Sequence, residues 1–159
     1  MIKHNIDPLY NNNSRILILG SFPSVKSREA HFFYHHPQNR FWKIIESLFN
    51  EDCTTIDKKK KCLLQNNIAL WDVIESCEIE GSSDSSIKNV KINDLTKIIN
   101  ESKIKTVFTN GKKSYQLYNK YCYSETKINA ISLPSTSPAN AIYSLDRLIE
   151  EWSIIKDYL

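Results

Sequence analysis

Three short stretches concentrate polar side chains of the kind that grip an anion or the edge of a heterocycle. They are Gly20-Ser21-Phe22-Pro23-Ser24, His36-Pro37-Gln38-Asn39-Arg40-Phe41-Trp42 and Leu133-Pro134-Ser135-Thr136-Ser137-Pro138-Ala139-Asn140. Ser21, Ser24, Ser27, Ser135, Thr136 and Ser137 offer hydroxyls that donate and accept, Asn39 and Asn140 offer carboxamides, and Pro134 and Pro138 stiffen the last loop. Such groups suit a phosphate or a base edge.

Other chemistries lack their residues. No G-x-S-x-G elbow presents a serine as nucleophile. Neither G-x-G-x-x-G nor G-x-x-x-x-G-K-S/T occurs, and three glycines in the whole chain leave little for a phosphate cradle of either kind. His31 and His35 would share one helical face, but Pro37 follows at once and no carboxylate or cysteine stands at a matching spacing, so no metal is expected. The four cysteines, Cys53, Cys62, Cys77 and Cys122, form no Cys-x-x-Cys pair, which fits a reduced, intracellular protein.

The elements that must position these groups are legible as apolar runs. Arg15 to Gly20 is apolar on both parities, as a strand covered on both faces requires, and similar runs recur at Ile68 to Ile74, Lys105 to Asn110 and Ile128 to Leu133. Between them apolar residues recur at helical spacing: Phe41, Ile44, Ile45, Leu48 and Phe49, then Leu95, Ile98 and Ile99, and finally Leu145, Leu148, Ile149, Trp152 and Ile155. Alternating strands and helices predict an α/β fold, a three-layer α/β/α sandwich around a mainly parallel sheet with right-handed crossovers. Ligands bind such sheets at the carboxyl ends of the strands, here Gly20 to Ser24, Asp72 to Ser86, Asn110 to Lys112 and Pro134 to Asn140.

The bulk properties set bounds. A chain of 159 residues suits one domain spanning residues 1–159. The formal net charge of +3 permits contact with a polyanion without demanding it. Lys58 to Lys61 reads as a solvated helix start, and Glu80 to Ser86 as either a functional loop or a solvated connector. With no apolar signal core and no stretch long enough to cross a bilayer, a cytoplasmic protein with no membrane association is expected. No additional apolar stripe advertises an interface, so a monomer is expected.

Taken together, the three polar stretches resemble the motifs of the uracil-DNA glycosylase superfamily over nearly the whole chain. Ile68 to Ile74 (IALWDVI) and Gly81 to Ile87 (GSSDSSI) bring the likeness nearest to its hypoxanthine-DNA (deoxyinosine) glycosylase family, with the mismatch-specific uracil/thymine enzymes a step further away. The resemblance implies a four-stranded parallel sheet and a monofunctional enzyme that needs no cofactor. Such an enzyme flips a deaminated base out of DNA, most readily hypoxanthine, and hydrolyses its N-glycosidic bond in base excision repair.

The chain departs from most of that superfamily at two positions. Phe22 stands where relatives carry Asp or Asn to manage the attacking water, and Leu133 where uracil enzymes often carry His or Asn. Asn39 is then the expected catalytic residue, orienting water by hydrogen bonding, although Asn is also a favoured helix N-cap. Phe22 is expected to stack on the flipped base, with Ser21, Trp71, Asp72 and Asp84 lining the base pocket and Asp72 or Asp84 as acceptor for the hypoxanthine N1–H. Pro23, Ser24, Ser27, Arg40, Ser135, Thr136, Ser137 and Asn140 are the expected DNA contacts, with Arg40 alternatively pairing a carboxylate, and Ala139 or Asn140 near the duplex gap. Two competing readings are a uracil-DNA glycosylase acting on mismatched or single-stranded DNA and a non-catalytic nucleic-acid-binding module of the same fold.

Overall fold

The doubly apolar runs become the strands of one parallel sheet. A computed structural model describes residues 1–159. In chain order the strands are β1 (Ile2–Lys3), β2 (Ile16–Gly20), β3 (Ile68–Asp72), β4 (Ile74–Glu78), β5 (Lys88–Ile92), β6 (Thr106–Asn110) and β7 (Ala130–Leu133). The helices are α1 (Val25–Ala30), α2 (Phe41–Phe49), α3 (Ile56–Gln65), α4 (Thr96–Asn100), α5 (Lys112–Tyr121), α6 (Tyr123–Thr126) and α7 (Leu145–Trp152).

The central sheet runs β3-β2-β6-β7 with every pair parallel. Strand β2 is wholly buried, and its pleat sends Ile16 and Ile18 into one core and Leu17 and Leu19 into the other. The first core packs the sheet against α2, α3 and α7 through Phe41, Ile44, Leu63, Leu148 and Trp152; the second packs it against α4 and α5 through Ile98, Leu117 and Tyr118. Each fully buried aliphatic or aromatic side chain contributes about 1.5–3 kcal/mol of transfer free energy, so these two faces hold the layers together. No helix is long and apolar enough to cross a membrane.

Two expectations are corrected, and one left open is decided. The run Ile68 to Ile74 is not one strand: β3 stops at Asp72, and Ile74 opens β4 in a second, antiparallel sheet ordered β1-β4-β5. The apolar pattern hid the bend because Val73, Ile74 and Cys77 are as buried after it as Ala69 and Leu70 are before it. The buried Asn93 amide braces the corner by donating to the carbonyls of Asp72 and Ile74. The helical pattern at the chain's end passes from α7 into a 3₁₀ segment, Ser153–Tyr158. The tract Glu80 to Ser86 is not a free connector: it carries a 3₁₀ turn at Asp84–Ser86 and is tied to the β2–α1 turn through Ser82 Oγ, which accepts the Val25 N–H, and the Gly81 carbonyl, which accepts from Arg28. The lysine run lies inside α3, where Lys58 pairs with Asp52 and Lys59 stands over the Trp42 ring.

Chain order fixes where a ligand can enter. From β2 the chain moves to β3 on one side of the sheet and then to β6 on the other, so the direction switches between β2 and β6. At such a switch point the flanking connections diverge and leave a crevice at the strand ends. Register places Gly20 beside Asp72 at that rim, and Asn110 beside Leu133.

Candidate active site

The crevice is a pocket of about 310 Å³ lined by the turn after β2, the loop after β7, Asp72 and Asp84, Asn39, and the rings of Phe22, Phe33 and Tyr34. Its size is at the lower end for ligand sites, which suits one heterocycle rather than a dinucleotide.

One wall is a fixed chain of hydrogen bonds. The Thr136 N–H donates to Asn110 Oδ1 at 3.0 Å, which leaves the Asn110 amide N–H to donate to Thr136 Oγ1, also at 3.0 Å. The Thr136 hydroxyl passes its own proton to Asn39 Oδ1 at 2.9 Å, and the Phe41 N–H at the start of α2 donates to the same oxygen at 2.9 Å. A backbone N–H can only donate, so Asn39 cannot flip: its oxygen holds two donors, both lone pairs are used, and its NH₂ makes no protein hydrogen bond beside the pocket it lines. Asn39 is not the N-cap of α2, a position that Arg40 holds, but its bond to the Phe41 N–H in the first turn aims the amide at the pocket.

The floor is acidic. Asp72 is buried; its Oδ2 accepts from His4 Nε2 at 2.8 Å, and its Oδ1 lies over Gly20 with no protein donor. A Cβ on Gly20 would stand 2.4 Å from that oxygen, so only glycine admits the carboxylate at this rim. Ser21 donates to Asp84 Oδ1 at 2.8 Å. Asp84 is exposed as a residue, yet its Oδ1 meets Ser21 and it lines the pocket; burial raises its pKa, the Ser21 hydroxyl and Lys113 oppose the rise, and the Asp72 charge adds to it. The Tyr34 hydroxyl is buried without a hydrogen-bond partner, and burial, with the Asp72 charge, pushes its pKa far up, so it stays protonated. Tyr34 holds a left-handed backbone (φ 53°) and stacks on Phe41 with centroids 4.3 Å apart, a strained placement that the packing over-determines.

Of the residues expected to bind a base, Ser21, Phe22, Asp72 and Asp84 line this pocket together with Asn39, whereas Trp71 does not. The Trp71 ring packs against the cores and donates Nε1 to the Ile6 carbonyl, because alternate residues of β3 face away from the rim. Among the expected DNA contacts, Pro23, Ser24, Ser27, Ser135, Thr136 and Ser137 also line the pocket. Thr136 is wholly buried, however, and Ser27 nearly so, which corrects both as surface contacts. Ser27 Oγ accepts from His35 N–H and Ser24 Oγ–H, and Ser24 caps α1. Asn140 lies outside the pocket, its amide donating to the Ser135 carbonyl.

Arg40 is corrected as a carboxylate partner: its half-buried side chain meets none. Its guanidinium donates to the carbonyls of Ser137 (2.8 Å), Asn140 (2.9 Å), Thr136 (3.4 Å) and Tyr143, clamping the loop that carries Thr136. Arg40→Met is expected to cost about 3 kcal/mol, from several charged hydrogen bonds lost at once, and to lower Tm by roughly 10 °C in a chain of this size. The salt dependence of DNA affinity should stay unchanged; an unshifted Tm with a shallower salt slope would make Arg40 a phosphate contact instead.

His36 opens the second motif stretch, whereas Tyr34, Phe33, Asn110 and His4 were not nominated by any motif reading of their own. Only Asn110 left a signal, as the last residue of an apolar run in a segment marked by the strand-end rule. The three histidines of the His31–His36 stretch go separate ways: His31 Nδ1 meets the Asn5 amide, His35 is exposed, and His36 Nδ1 accepts the Gln38 N–H.

Comparison with known proteins adds four findings. A family model described as the uracil DNA glycosylase superfamily matches residues 8–157. A Methanosarcina barkeri protein named hypoxanthine DNA glycosylase is 37% identical over 145 residues, 88% of this chain and 89% of its own. A Methanosarcina acetivorans protein of the same name is 35% identical over 160 residues, 98% of each chain. The solution NMR structure of a Methanosarcina acetivorans protein, described as a candidate uracil DNA glycosylase, aligns with a TM-score of 0.83 and 33% identity across 98% of this chain and 97% of that one.

Proposed function

The chain belongs to the uracil DNA glycosylase superfamily, and from that membership we propose that it excises hypoxanthine from DNA in base excision repair, flipping the nucleotide and hydrolysing its glycosidic bond. The observation that carries this reading is the pairing of a free carboxylate oxygen with a free amide N–H donor in one base-sized pocket. Hypoxanthine presents an N1–H donor and an O6 acceptor, and adenine presents the reverse at the same edge. Asp72 Oδ1 accepts N1–H, while the Asn39 NH₂ donates to the base as the C1′–N9 electron pair retreats into it.

This assigns Asn39 a different hydrogen bond from the one expected of it. With its oxygen doubly engaged, the amide cannot accept a hydrogen bond from water, and its NH₂ is left to serve the departing base. Cleavage generates an oxocarbenium-like sugar that water attacks without prior deprotonation, the proton being lost to solvent or to the released base. Phe22, buried at the turn after β2, supplies an aromatic face, and the exposed Pro138 and Ala139 stand at the pocket mouth near the duplex.

The test is a panel of matched oligonucleotides containing deoxyinosine, deoxyuridine or neither, scored for alkali-labile abasic sites. Scission confined to deoxyinosine is expected. Release of uracil alone would replace the substrate, because uracil also offers an N–H beside a carbonyl. Salt-sensitive DNA binding with no base released from any strand would leave a binding module.

A further inference from the structure

We infer that His4, from the N-terminal strand segment, is a positioning residue that sets base selectivity by holding the Asp72 carboxylate in its reading orientation. The inference rests on the assignment of Asp72 as base acceptor above. Strand β1 pairs with β4 (Ile2 opposite Cys77, Lys3 opposite Ser76), and the His4 N–H donates to the Glu75 carbonyl at 2.6 Å, so the chain's first residues are built into the second sheet. That pairing drives the His4 ring under the pocket, where its side chain is 3% exposed and that of Asp72 5%. The ring is enclosed by Phe22 (6.0 Å between centroids), Trp71 (6.1 Å) and Phe33 (6.4 Å), the first two edge-on.

The tautomer is fixed locally. His4 Nδ1 accepts the Ile6 N–H at 3.2 Å, so the ring proton of the neutral form sits on Nε2 and is donated to Asp72 Oδ2. With Oδ2 held, the carboxylate cannot swing, and Oδ1 stays over Gly20, the only residue type that tolerates it there. The charged and titratable groups facing this carboxylate are His4 from the N-terminal segment, Tyr34 from the loop before α2 and Asp84 from the 3₁₀ turn. Only His4 makes a hydrogen bond to it. Neither the Tyr34 hydroxyl nor Asp84 makes a hydrogen bond to it.

An anchor for the N-terminal strand alone would give a different result from an aimed donor. His4→Phe keeps the aromatic packing and removes the N–H; His4→Gln keeps a donor that can reach Oδ2. Measured on the full chain with deoxyinosine and deoxyuridine oligonucleotides, His4→Phe is expected to lower kcat/KM for the released base by about 10–100-fold, the worth of one charge-assisted hydrogen bond. His4→Gln should recover most of that loss, and in an Asp72→Ala background His4→Phe should cost nothing further. Wild-type turnover by His4→Phe, or an equal loss in the Asp72→Ala background, would overturn the inference. If wild type released only uracil, the hypoxanthine assignment would fall, and the same His4–Asp72 cycle read on uracil would still decide the role of His4.

Discussion

Alanine at Asn39 is expected to lower single-turnover excision of hypoxanthine by roughly two to three orders of magnitude, the range seen when one preorganised donor to a developing anion is removed. The cause is specific to the N–H. Asn39 Oδ1 is spent on the Phe41 N–H and the Thr136 hydroxyl, so the pocket loses a donor and no acceptor. Asn39→Asp provides the control: a carboxylate still accepts from Phe41 and Thr136, and the fold should persist, yet it turns a negative charge toward a departing anion and should be no better than alanine. Stability should move little, since losing a local hydrogen bond such as that from the Phe41 N–H costs about 1 kcal/mol. Abasic-site formation under single turnover, beside thermal melting and DNA binding, measures both effects. Activity in Asn39→Ala within tenfold of wild type would leave Asn39 a structural brace between α2 and Thr136 only.

Asp72→Asn should be as damaging, by inversion rather than deletion. The His4 Nε2–H continues to demand an acceptor, so the new amide must present its oxygen to His4 and its NH₂ toward Gly20 and the pocket. A donor then faces the N1–H of hypoxanthine. Sites built to pair a substrate hydrogen bond reject the unmatched partner strongly, and a loss of roughly 10²–10⁴ in kcat/KM is expected. The substitution is nearly isosteric and keeps the His4 contact, so the melting temperature should change by a few degrees at most. Comparable kcat/KM for Asp72→Asn and wild type would remove Asp72 from base recognition and return attention to Asp84, whose Oδ1 meets Ser21 at the pocket.

Both predictions depend on the same architectural fact. The four strand ends bring together residues that lie far apart in the chain: Asn39 and Thr136 are 97 positions apart, His4 and Asp72 68, and Ser21 and Asp84 63. A parallel sheet with its switch point between β2 and β6 gathers these ends on one rim, so a modest pocket can be assembled from six separate segments.

What the sequence determined by itself was the frame and the neighbourhood of the site. Apolar residues carry their periodicity openly: the both-parity run at Arg15 to Gly20 has room only in a covered strand, and the spacing of Phe41, Ile44, Ile45 and Leu48 only on a helix, so the layers and the strand-end rim follow from local pattern. Asn39, Phe22, Ser21, Asp72 and Asp84 were findable because each lies at such an end or in a motif-bearing loop. The tertiary structure alone decided what each polar group is bonded to. It turned Trp71 into the cores, used Arg40 to clamp the 134–143 loop, buried Thr136 between two amides, oriented the Asn39 NH₂, and brought His4 beneath Asp72. The physical reason is that burial is averaged over a whole face and repeats along the chain, whereas a hydrogen bond is a choice of one partner within about 3 Å and leaves no periodic trace in the sequence.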